Sequence, residues 1–102
     1  MHAAVVVYDL HVPLSASLKD RRAAITPIIE GARRRFSVSV AEVFGQDTWQ
    51  RAGIAVAAVA SSAGQLELVL GSVDRFVWSF PEVDVLSCRR ADVDGEDLSE
   101  IG

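Results

Sequence analysis

The densest concentration of chemically capable residues is Gln46-Asp47-Thr48-Trp49-Gln50-Arg51. An indole flanked by two amides, a carboxylate and a guanidinium can stack on a base or other ring and hydrogen-bond its edge. Gln46, Asp47, Trp49, Gln50 and Arg51 are therefore the first candidate binding segment. They also have an ordinary structural use. Asp47 can cap a turn or pair with Arg51, and Trp49 can cover an open end of the core or a partner subunit. A second group is basic: Lys19, Arg21, Arg22, Arg33, Arg34 and Arg35. Such a group suits phosphate contact. Three successive arginines splay over roughly 200° of a helix, and near a helix C-terminus they also answer its dipole.

Catalysis finds less to work with. Asp9 and His11 stand at strand spacing and can form an acid–base unit, but the sequence places no nucleophile beside them. A polar rim or interface position is expected instead. No Gly-rich phosphate loop, His/Cys metal spacing or G-x-S-x-G occurs. The expectation is a non-enzymatic protein with no catalytic residue, metal or cofactor.

The elements that position these residues must fit into 102 residues, enough for one domain and one core. Half the residues are apolar, which supports folding and leaves apolar surface that a second copy can cover. The single cysteine, Cys88, rules out an internal disulfide. Its neighbours Val85, Leu86 and Ser87 suggest a buried, inert thiol. The first residues lack the charged and small-residue pattern of a signal peptide, and no uncharged apolar run reaches about 18 residues. A cytoplasmic protein with no membrane partner is expected. Of fourteen acids, five (Asp92, Asp94, Glu96, Asp97 and Glu100) fall in residues 92–102; the other nine face ten bases. The acid is thus concentrated in a tail, read as disordered, behind a domain spanning residues 1–91.

Ala3 to Val12 alternates as a strand, with Val6, Tyr8, Leu10 and Val12 on one face and Val5, Val7, Asp9 and His11 on the other. Ser17 and Asp20 mark a helix start. Leu18, Arg22, Ile25, Ile29, Ala32 and Phe36 then form an amphipathic stripe, within which Pro27 predicts a kink or break. Strands follow over Ser37–Phe44 and Ala52–Ala60, close enough for a hairpin. A second helix carries Leu66, Val69, Leu70, Val73, Val77 and Phe80, and a short last strand runs from Val83 to Arg90. The order β-α-β-β-α-β is that of ferredoxin-like α+β domains, a four-stranded antiparallel sheet with two helices on one face. Val5, Val7, Asp9 and His11 would then lie on the uncovered face, where a homodimer is expected. Stacking of RNA on that face is disfavoured, since the third strand offers no aromatic residue.

Several strings resemble those of the YlxP-like family of small bacterial proteins. Ser17-Leu18-Lys19-Asp20-Arg21-Arg22 is similar to its SLK-acid-basic-R helix opening. Phe36-Ser37-Val38-Ser39-Val40-Ala41-Glu42-Val43 resembles F-N-V-S-V-A-E-V, and Gln46-Asp47-Thr48-Trp49-Gln50-Arg51-Ala52 resembles Q-D-x-W-Q-R-A. Leu10-His11-Val12-Pro13 and Pro81-Glu82-Val83 are similar to L-H-I-P and P-E-V. The likeness spans about residues 4–91 and implies the same ferredoxin-like fold, with no activity attached. Family genes often lie near those for translation and ribosome maturation, which points toward RNA. Phe44-Gly45 depart from the family's more polar residues there, histidine included, and Pro27 is a second departure. The combined reading is a homodimeric binding or accessory protein with an RNA or ribosomal partner. Its alternatives are a small-molecule-binding regulatory domain using Gln46–Arg51 at a subunit boundary, and an enzyme with a composite site around Asp9, His11 and Trp49.

Overall fold

The computed structural model describes residues 1–45 and 48–93. In chain order the elements are β1 (His2–His11), α1 (Leu18–Phe36), β2 (Ser39–Phe44), β3 (Arg51–Ala60), α2 (Ala63–Trp78) and β4 (Asp84–Val93). The sheet order is β2-β3-β1-β4, with every neighbouring pair antiparallel. This is the ferredoxin-like α+β arrangement. Ala4, Val6, Tyr8 and Leu10 of β1 and Ala52, Ile54, Val56 and Ala58 of β3 point into the core beneath the helices. Ile25, Ile28 and Ala32 of α1 meet them there, with Leu66, Leu70, Val73 and Val77 of α2. The period-2 alternation of β1 thus sorts its side chains as expected, leaving Val5, Val7, Asp9 and His11 on the other face.

Both helices are capped by serines. The Ser17 hydroxyl accepts from the Asp20 amide at 3.1 Å while the Asp20 carboxylate accepts from the Ala16 amide at 3.0 Å, and Ser62 accepts from the Gln65 amide. The helix α1 is continuous through Pro27. The carbonyl that proline leaves unpaired belongs to Ala23, and both residues are exposed, so the carbonyl is open to solvent. Ser37 ends α1 in the left-handed region at φ 52° instead of starting β2, which shortens that strand.

Three expectations need correction. The buried stripe of α1 runs through Arg21, Ile25, Ile28 and Ala32, and Arg22 is exposed. Cys88 is exposed, on an edge strand whose side chains the helices touch only at their margin. The last strand extends to Val93, so Asp92 and Val93, assigned above to the acidic tail, pair with Ala4 and Ala3. The remainder of that tail, residues 94–102, lies outside the described residues, as do Gln46 and Asp47.

Candidate functional site

Residues 10–13, 17–22 and 48–52 and the later part of the 36–43 string, all among the residues that carry the family likeness, lie at one end of the domain. There the C-terminal end of β1, the first turn of α1, the β2–β3 hairpin and the start of β4 meet. Arg21 holds them together. It is 3% exposed, its two terminal nitrogens donate to the Glu42 carboxylate at 3.1 and 2.8 Å, and its Nε donates to the Arg51 carbonyl at 2.8 Å. One side chain thereby joins α1 to β2 and β3. A bidentate guanidinium–carboxylate pair fixes direction as well as distance. Burial of that charge is tolerated because its partners are in place; no buried side-chain nitrogen or oxygen is unsatisfied among the described residues.

Gln50 braces the loop between β1 and α1. Its backbone carbonyl accepts from the Val12 amide at 2.9 Å, and its side-chain amide donates to the carbonyls of Pro13 and Ser15 at 3.4 and 3.3 Å. Arg51 donates to both oxygens of Asp9, at 3.1 and 2.6 Å, from across the sheet. His11 Nδ1 lies 3.4 Å from an Asp84 oxygen. Asp9 and His11 therefore have separate partners. Trp49 stays 54% exposed, with Leu14 at 92%. Lys19 and Arg22 are exposed and have no ion pair among the described residues. Between Leu14, Asp20, Ala24 and Glu82 the surface forms a mainly apolar hollow.

The remaining basic residues are elsewhere. Arg33, Arg34 and Arg35 occupy the last turn of α1, about 20 Å from Lys19 and Arg22 along the helix. Arg33 donates to the Val40 carbonyl and pairs with Glu30. The Arg35 guanidinium sits 5.0 Å above the ring of Phe76, which also meets Phe36 and Phe80 edge-on. Gly31 makes this packing feasible, since a Cβ there would enter the Phe76 ring. Only Arg34 of the three points to solvent without a partner among the described residues. The six basic residues therefore do not make one patch: Arg21 is buried, two lie at the motif-bearing end, and three at the far end of α1.

Two polar arrangements were missed from the sequence. The buried Tyr8 hydroxyl donates to Asp74 at 3.0 Å, and burial, then Asp74, pushes its pKa well above the usual phenol range. Nearby Cys88, exposed as a residue, has its thiol pushed up by partial desolvation beside the sheet and then by Asp74. Arg90 donates to Glu67 and Asp92 and holds both carboxyls below their usual range. Tyr8 at a core position of alternating β1 was legible; its partner, 66 residues away, was not. No group of metal-ligating side chains occurs among the described residues. Among the described residues no helix is long and apolar enough to cross a membrane.

Comparison with known proteins agrees with this frame. In solved structures the chain is similar to the de novo designed protein Foldit4, with a TM-score of 0.56 at 13% identity over 92% of this chain and all of that one. It is also similar to a candidate chlorite dismutase, TA0507, with a TM-score of 0.55 at 10% identity over all of this chain and 48% of that one. At such identities the likeness is one of fold. In sequence it is 40% identical over 79 residues to the uncharacterized protein YlxP of Bacillus subtilis (strain 168), covering 78% of this chain and 80% of that protein. The family model described as protein of unknown function DUF503 matches residues 3–90, and the chain belongs to that YlxP-containing family.

Proposed function

We propose that the chain is a cytoplasmic, non-catalytic accessory protein that binds ribosomal RNA through its motif-bearing end. One observation carries the reading: an exposed indole, Trp49, shares that end with two exposed cations, Lys19 and Arg22, on a frame fixed by Arg21 and Gln50. Stacking of an unpaired base on an aromatic ring contributes about 1–3 kcal/mol, and cations beside it meet the phosphates. Pre-positioned donors lose little freedom on binding. Asp9 and His11 fit an interface better than catalysis, each being engaged by a different partner. The far-end arginines contribute less, since Arg33 and Arg35 already have structural partners.

The same reading includes a homodimer across the uncovered sheet face. Val5, Val59 and Val93 remain 37%, 71% and 44% exposed there, among the small residues Ala55, Ala57 and Ala91. A second copy is the simplest cover for such a face. Sedimentation equilibrium is expected to give a dimer that Val59→Lys dissociates; a monomer at all concentrations contradicts this part.

The RNA reading is tested by co-sedimentation with small ribosomal subunits. Binding is expected to weaken with salt, and Lys19→Gln with Arg22→Gln to flatten the salt slope by about 0.7–0.9 for each phosphate no longer neutralised. Trp49→Ala is expected to weaken binding at every salt concentration. Binding that is absent at low salt, or indifferent to all three substitutions, contradicts the proposal.

A further inference from the structure

The uncovered sheet face is not uniformly flat. Near its upper margin a trough of roughly 320 Å³ is lined by Val7, Asp9, Phe44, Ser87 and Arg89. Its shape follows from one glycine. Gly53, opposite Asp9 on β3, has no side chain, and Phe44 of β2 lays its ring across the gap; a Cβ at Gly53 would collide with that ring. Phe44 is thereby drawn toward β1 as an aromatic wall. The opposite wall belongs to β4, three strands from β2, where Ser87 and Arg89 pair with Asp9 and Val7 and share their face. Strand spacing puts the β2 and β4 backbones about 14 Å apart, a gap the Phe44 ring narrows by lying over Gly53 of β3. Val7 forms an apolar floor.

The charges in this trough are not balanced. Both oxygens of Asp9 accept from Arg51, whereas Arg89 has no ion pair among the described residues. What faces the space is thus an aromatic ring, an apolar floor, a hydroxyl, the Asp9 carboxylate already neutralised by Arg51, and one guanidinium without an ion pair among the described residues. From this geometry we infer a binding site for a small carboxylate with a planar apolar body, its ring against Phe44 and its carboxylate on Arg89 and Ser87. Guanidinium is the side chain best matched to a carboxylate, since it offers two parallel donors. A volume near 300 Å³ is at the small end of ligand sites, which limits the ligand to about the size of a single substituted ring. All five lining residues come from one chain, so the site needs no RNA surface, but it shares Val7 and Asp9 with the face proposed for the homodimer, and ligand and second copy compete for it.

Benzoate is the probe, with benzyl alcohol as its neutral analogue. Amide and aromatic NMR spectra of the full chain are recorded during titration with each. The expected result is saturable shifts confined to Val7, Asp9, Ser87, Arg89 and the Phe44 ring. Benzyl alcohol and the Arg89→Gln variant are each expected to bind at least about tenfold more weakly, with Arg89→Lys falling between. Arg89 is exposed on an edge strand, so its substitution preserves the fold, and the dispersed spectrum verifies this directly. Shifts that never saturate, that map elsewhere, or that are equal in Arg89→Gln overturn the inference. So do trough signals that respond to protein concentration and not to benzoate, which would mean that a second copy fills the space.

Discussion

The two ends of α1 are both rich in arginine, yet they are built on different physics. At the N-terminal end a single buried arginine is spent on Glu42 and the Arg51 carbonyl, and it locks three elements around a polar junction. At the C-terminal end aromatic packing does the joining, with Phe76 seated on Gly31 between Phe36 and Phe80, while Arg35 lies over the ring from outside. A buried ion pair fixes geometry and is unforgiving of losing one member. An aromatic cluster with peripheral cations depends on shape and tolerates the loss of any one charge. The end organised by the buried pair is also the end that displays Trp49, Lys19 and Arg22, the surface proposed to bind RNA.

The largest effect expected from breaking this contrast is at Arg21. Arg21→Ala removes the partner of a largely buried carboxylate and is expected to destabilise the protein by about 3–5 kcal/mol in urea unfolding. Next is the far end, where Gly31→Ala forces a methyl against Phe76 and is expected to cost about 1–3 kcal/mol. The equality or reversal of these two effects would show that the ends are not organised as described. Ser17→Ala removes the cap of the motif-bearing end, at about 1 kcal/mol in the same assay. At the opposite cap Ser37 holds a left-handed conformation that glycine adopts freely, so Ser37→Gly is expected to stabilise by up to about 1 kcal/mol. The smallest effect is at Arg34, where replacement by glutamine is expected to change stability by no more than about 0.5 kcal/mol.

The sequence was informative where a short period decides the outcome. The alternation of β1 places Val6 and Tyr8 in the core and Val5 and Val7 outside, and the Ser17–Asp20 spacing marks the start of α1. It was misleading at Arg21 and Arg22 because two stripes, through Leu18-Arg22-Ile25 and through Arg21-Ile25-Ile28, fit a helical period equally well. The choice is made by Glu42, 21 residues away, which gives a buried guanidinium a partner at position 21. Cys88 was misplaced for a related reason. Its local pattern reads as a core strand, but β4 is an edge strand, exposed along most of its length, and the register shifts opposite Asp9 and Leu10. Of the candidate site, the convergence of Leu10–Pro13, Ser17–Arg22 and the hairpin at one end follows from the element order. The division of labour among the arginines does not, since it depends on partners that only the folded chain brings near.

The most direct test of the central contrast is photo-cross-linking from each end of α1. Benzoylphenylalanine is placed at Trp49 in one variant and at Arg34 in another, both being exposed positions, and each is irradiated with purified small ribosomal subunits. The account predicts an RNA adduct from position 49 that unlabelled wild-type protein suppresses, and none above background from position 34. Adducts from position 34 alone, or none from either position under conditions that permit co-sedimentation, would contradict it.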